Sequence, residues 1–193
     1  MAEYVELHCH SCFSFREGAS TPLELVLEAR RLGYPALALT DHDGLAGAME
    51  FAQAAKQWDM KPIIGAEVTL RGGIGTTAPR VETRGFKKGE AAGFIPQTMN
   101  NTHLTLLAET PRGYANLSRL LSHAHLNSPR DTPALDPDAL AGHTEGLIAL
   151  SGCREGEVPR LVAAGDFEGA QRSAMARVLR TASGSSAKRA AIS

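Results

Sequence analysis

Hydrophobic and polar positions change rhythm repeatedly along this chain, and the changes outline strands alternating with helices. Residues 4–8 (YVELH) alternate over a short run, which predicts a half-buried strand. At Ser20-Thr21-Pro22 the spacing becomes helical. Thr21 is placed to cap the helix, Pro22 to open its first turn and Glu24 to complete a capping box. Leu23, Val26, Leu27 and Ala29 keep that spacing until Gly33 stops it. Ala36–Leu39 is continuously apolar, as a strand buried on both faces is. Residues 45–58 read as a second helix, with Ala46, Met49, Phe51, Ala52 and Ala55 available for its inner side. Residues 62–70 (PIIGAEVTL) predict a third strand that carries Glu67. This βαβαβ order, with connections of crossover length, predicts parallel pairing.

Residues 71–100 break the rhythm with six glycines and the cations Arg71, Arg80, Arg84, Lys87 and Lys88. They predict a long surface excursion. A nucleic-acid contact there competes with a plain solvated loop. The loop is favoured, because Glu82 and Glu90 dilute the charge and no aromatic platform accompanies it. Further strands are predicted at 103–108 and 146–151, and helices at 113–127, 155–164 and 167–180. Residues 181–193 lack periodicity and predict a disordered tail behind a domain over 1–180. Five strands with interleaved helices predict a parallel α/β barrel or sheet that looks cut short, with unpaired edges at 4–8 and 146–151 and a tendency to self-associate.

Composition narrows the picture. A chain of 193 residues, 43% hydrophobic, has the size and apolar content of one globular domain. A net charge of −1 gives no bulk attraction to nucleic acid or membrane. No apolar run approaches the roughly 18 residues that span a bilayer. Three cysteines and no secretory leader pattern predict a reducing, cytoplasmic setting.

The candidate chemistry gathers at strand ends. Period two puts His8 and His10 on one face of the first strand and Cys9 on the other. The competing reading leaves both histidines at a fraying strand end. A second strand end of the same type, running into Thr40-Asp41-His42-Asp43, weighs against it. His8, His10, Glu17, His42, Glu67, His103 and Cys153 together offer imidazole, carboxylate and thiolate, which suit Zn²⁺, Mn²⁺ or Fe²⁺ rather than Ca²⁺. Asp41 and Asp43 are candidates to orient His42, with a turn or capping role for Asp43 as the alternative. His123 and His125 share the His-x-His spelling, but on a helix they sit about 200° apart and cannot share an ion. Cys9-x-x-Cys12 lacks a second cysteine pair, and Ser14, Ser151 and His143 lack partners for a triad.

LHCHSCFSFREGAS, ALTDHDGLAGAMEFAQAAK, IIGAEVTL, HLTLLA, GYANLSRLLSHAH and GLIALSGCREGEV, in this order, resemble the PHP (polymerase and histidinol phosphatase) domain. More closely, they are similar to the N-terminal PHP domain of bacterial C-family DNA polymerases, the polymerase III alpha-subunit group, and to its error-prone branch. The resemblance implies a distorted (β/α)7 barrel, here truncated after about five strands, with up to three metal ions at its mouth. It implies one ion on His8, His10 and Glu67, a second on Glu67, His103 and Cys153, and a third on Glu17 and His42. Glu67 and His42 are the implied catalytic residues. The family's late Asp-x-His is not found, so fewer than three ions are expected. The implied function is metal-dependent hydrolysis of a phosphate ester within a DNA replication and repair polymerase, its partners being the rest of the polymerase and, through it, DNA. The alternatives are a degenerate domain kept as a scaffold and, less favoured by these phrases, a free-standing small-molecule phosphoesterase such as a histidinol-phosphate phosphatase.

Overall fold

Thr21 caps the first helix as its neighbours dictate. In the computed structural model, which describes residues 4–72 and 101–182 and the side chains up to 175, its hydroxyl accepts from Glu24 N at 3.3 Å while Thr21 N donates to Glu24 Oε2 at 2.7 Å. Helix α1 (Pro22–Arg31) then leads to strand β1 (Ala36–Leu39), helix α2 (Ala48–Gln57) and strand β2 (Lys61–Leu70). Val26 and Ala29 of α1, Leu37 and Leu39 of β1, and Phe51, Ala54 and Ala55 of α2 close into one core cluster. Burial of each large side chain among them contributes about 1.5–3 kcal/mol.

The second half contributes β3 (Thr102–Ala108), α3 (Pro111–Leu126), a 3₁₀ turn (Pro137–Leu140), β4 (Leu147–Ala149), α4 (Glu157–Ala163) and α5 (Phe167–Ala182). Leu117, Leu120, Leu121 and Ala124 recur at helical spacing along α3 and pack on Val68, Leu70, Leu104 and Leu106 of the sheet.

The sheet order is β1-β2-β3-β4. β1 and β2 pair in parallel, as expected, but β3 runs antiparallel to both its neighbours. The sheet is therefore mixed α/β rather than all-parallel, and among the described residues it does not close into a barrel. Two further expectations are corrected. The strand expected at 4–8 is reduced to a single bridge, Glu6 to Leu37. Side chains take the donors a ladder would use: His8 N donates to Glu6 Oε1 at 3.0 Å and Cys9 N to Thr40 Oγ1 at 3.0 Å. The helix expected from residue 45 begins at Ala48, after a turn in which Asp43 has φ of +49°; Ala48 and Ala54 face the core, whereas Ala46 and Met49 are exposed.

Residues 4–8 face Leu150, Ser151 and Gly152 across a cavity of about 360 Å³. The excursion expected at 71–100 lies outside the described residues from 73 onward, as does the expected tail from 183.

Candidate metal centre

Glu67 sits on β2 with 1% of its surface exposed, and its two carboxylate oxygens face different ligand groups. Oε2 accepts from His10 Nε2 at 3.0 Å and is in close contact with His8 Nε2. Oε1 accepts from His103 Nδ1 at 2.5 Å and from the Cys153 thiol at 3.1 Å. The donor atoms of His8, His10 and Glu67 lie within 4.8 Å of one another, as do those of Glu67, His103 and Cys153.

The strand directions explain how these residues meet. His103 opens β3, so in a parallel sheet it would sit at the wrong end. Because β3 is antiparallel to β2, its first residues lie beside the last residues of β2, with His103 opposite Thr69. The segment before β1 supplies His8 and His10, and Cys9 between them turns away and packs against the α1/α2 core.

Glu17 and His42 form an adjoining pair. Glu17 Oε2 accepts from His42 Nδ1 at 2.9 Å and lies 3.2 Å from His10 Nδ1, which links the pair to the first group. On the other side of the His42 ring, Nε2 lies 2.9 Å from Thr69 Oγ1, whose hydroxyl donates to Asp43 Oδ2 at 2.7 Å. Asp43 Oδ2 also lies 3.3 Å from His42 Nε2, so Asp43 borders the imidazole both directly and by way of Thr69. Asp41 does not touch the imidazole. Its buried carboxylate accepts from Ser11 N at 2.7 Å and Ser14 Oγ at 2.7 Å, and Ser14 Oγ accepts in turn from His42 N at 2.9 Å.

Thr69 and Ser11 join the site without having been candidates from the sequence. Thr69 carried a usable signal, since two residues beyond Glu67 on a strand is the same face. Ser14, a poor triad candidate in the sequence, instead links Asp41 to the His42 backbone. His125 Nε2 lies 2.7 Å from the carbonyl of Asp43 and away from the ligand groups.

The electrostatics match a site built for positive charge. Burial pushes the Glu67 carboxyl upward, but hydrogen bonds from His10, His103, His8 and Cys153 together outweigh it and hold the group well below the usual carboxylate range. The hydrogen bond to Glu67 raises His10 and His103 against the opposing effect of burial. Burial, helped by Glu67, pushes the Cys153 thiol up to about 11. Three imidazoles and a thiol converging on one buried carboxylate form a donor set that fits a metal ion.

The sequence profile of the PHP domain matches residues 6–185. The chain belongs to the PHP domain family.

Among relatives, this PHP domain is 42% identical over 187 residues to the error-prone DNA polymerase of Symbiobacterium thermophilum, covering 89% of this chain and 15% of that protein. It is 46% identical over 171 residues to the error-prone DNA polymerase of Mycobacterium tuberculosis, covering 88% of this chain and 14% of that protein. Identity to the DNA polymerase III subunit alpha of Saccharopolyspora erythraea is 35% over 176 residues, covering 89% and 15%. The chain spans about 15% of the length of these curated relatives. The expected likeness to the error-prone branch agrees with the higher identities. Among the described residues, no helix is long and apolar enough to cross a membrane.

Proposed function

We propose that residues 1–180 form a metal-dependent phosphoesterase domain belonging to an error-prone, polymerase III alpha-type DNA polymerase, working in the cytoplasm in replication and translesion repair. The observation that carries this reading is Glu67, one buried carboxylate with an oxygen toward each of two ligand groups. His8 and His10 would hold one ion with Glu67, His103 and Cys153 a second with Glu67, and Glu17 with His42 would contribute to a third. Zn²⁺, Mn²⁺ and Fe²⁺ all suit these donors. The chemistry such ions supply is polarisation of a phosphate ester and activation of water.

The chain's own residues do the positioning. Glu67 holds two groups at a fixed separation, because β2 is pinned on both sides by β1 and β3. Thr69 and Asp43 fix the plane of the His42 ring. A second reading, a scaffold that stabilises or docks the rest of a polymerase, is favoured by the thinness of the third group, where Glu17 and His42 share His10 with the first.

Mn²⁺-dependent hydrolysis of bis(p-nitrophenyl) phosphate by the purified chain tests the choice. Slow, metal-dependent turnover that falls at least about 100-fold in Glu67→Gln supports the enzyme. Turnover insensitive to Glu67→Gln, or none with any of the three ions, supports the scaffold.

A further inference from the structure

The loop between His10 and Glu17 is held more firmly than a solvated loop requires. Asp41, 2% exposed, spends both carboxylate oxygens on it: Oδ1 accepts from Ser11 N and Ser14 Oγ, and Oδ2 accepts from Ser11 Oγ at 2.8 Å. The Phe13 ring, itself partly exposed, lies close against Gly47, where a Cβ would stand 2.9 Å from it. At the tip of this anchored loop stand Phe15, 87% exposed and in neither core cluster, and Arg16. Arg16 adopts φ of +75°, a conformation that non-glycine residues rarely take and that recurs at ligand-binding positions. Among the described residues no ion pair or hydrogen bond engages its guanidinium. The next residue is Glu17, whose carboxylate touches His42 and His10.

A rigid support, a bare aromatic ring and an uncommitted cation beside a phosphoesterase centre define a ligand. We propose that Phe15 and Arg16 form the recognition tip for single-stranded nucleic acid, with a nucleobase stacked on Phe15 and a backbone phosphate paired with Arg16. This rests on the phosphoesterase reading and gives it a substrate class: a nucleic-acid strand rather than a small phosphate ester. Stacking on an exposed ring is tolerant of sequence, and one arginine supplies the phosphate contact. A protein partner would use the same ring but would not need the cation to meet a phosphate.

Fluorescence anisotropy of a labelled single-stranded oligodeoxynucleotide, titrated with the zinc-loaded 193-residue chain, tests the tip. Phe15→Ala is expected to weaken binding about tenfold and Phe15→Trp to restore it. Arg16→Gln is expected to weaken binding and to reduce the salt-dependence slope by about 0.7. Phe167→Ala, an exposed aromatic on α5 remote in sequence from the site, serves as the control and should bind as the parent chain does. Circular dichroism verifies that each variant is folded.

Binding unchanged in both Phe15→Ala and Arg16→Gln overturns the proposal and leaves the loop as a protein-docking element. Hydrolysis of bis(p-nitrophenyl) phosphate by the parent chain, measured in parallel, separates the two claims. If that turnover is present while binding ignores Phe15, the tip falls and the phosphoesterase stands. If it is absent while Phe15→Ala still weakens binding, the tip stands and the phosphoesterase falls.

Discussion

His103 and Glu67 meet diagonally across an antiparallel strand pair: Glu67 lies opposite Thr105, His103 lies opposite Thr69, and His103 Nδ1 reaches Glu67 Oε1 at 2.5 Å. Diagonal neighbours on one face of a sheet are within reach of long side chains. The contact therefore requires this register, and a slip of one residue would turn His103 to the opposite face. It also means that, in the absence of metal, protons held by His10 and His103 stand opposite a buried carboxylate.

That substitution of protons for metal gives a pH dependence. His10 and His103 are raised above their ordinary value of 6.5 by hydrogen bonding to Glu67. Their contribution to stability is complete below 6.5 and is lost as pH rises through the folded-state values. Glu67 is held below its ordinary 4.5, so its contribution is present above that value and is lost as pH falls toward the folded-state value. In chelator, the chain is expected to unfold at a falling temperature as pH rises from about 6 to about 8. With Zn²⁺ or Mn²⁺ the slope should reverse, since ligands bind metal deprotonated. Thermal unfolding across pH with and without chelator is the check; a melting temperature in chelator that climbs over this range contradicts the pairing.

Gly113 marks where α3 meets the loop into β4. A Cβ there would lie 1.8 Å from the carbonyl oxygen of Gly146, a backbone atom that cannot swing aside. Gly113→Ala is expected to displace the first turn of α3 and to cost about 1–3 kcal/mol, measured by urea unfolding. Ala115→Gly, in the same turn, should cost about 1 kcal/mol or less through helix propensity alone. Equal effects of the two would show that α3 does not depend on this close approach.

Asp41 should behave as a structural residue rather than a ligand. Asp41→Ala leaves Ser11 and Ser14, both buried, without their acceptor and is expected to destabilise the fold by about 1–3 kcal/mol. Because Ser14 also accepts from His42 N, the variant should weaken metal retention about tenfold. Denaturation and metal-competition titrations read the two effects separately. Unaltered stability with full loss of metal would make Asp41 a ligand instead.

Much of this is legible in the sequence. The capping box at Thr21 and the apolar run of β1 are local patterns, and each appears where the sequence puts it; His8 and His10 meet at Glu67 although the strand expected to align them is a single bridge. Strand direction was not legible, because nothing within HLTLLA says which way it runs beside its neighbour. The first strand failed for a related reason: Glu6 and Thr40 compete for backbone donors only once the segments are brought together. The candidate ligands were readable as a set of residue types, whereas the sharing of Glu67 between two groups and the loop-holding role of Asp41 depend on tertiary placement.

Glu67 stands between two ligand groups, and metal stoichiometry by equilibrium dialysis with elemental analysis reads out whether both depend on it. The chain, Glu67→Gln, His8→Ala and Cys153→Ala are compared under identical Zn²⁺ and Mn²⁺ concentrations. His8→Ala is expected to remove only the metal bound by His8 and His10, Cys153→Ala only that bound by His103 and Cys153, and Glu67→Gln to deplete both. Full metal content in Glu67→Gln, or identical losses in His8→Ala and Cys153→Ala, would mean that Glu67 is not shared between two separate ions.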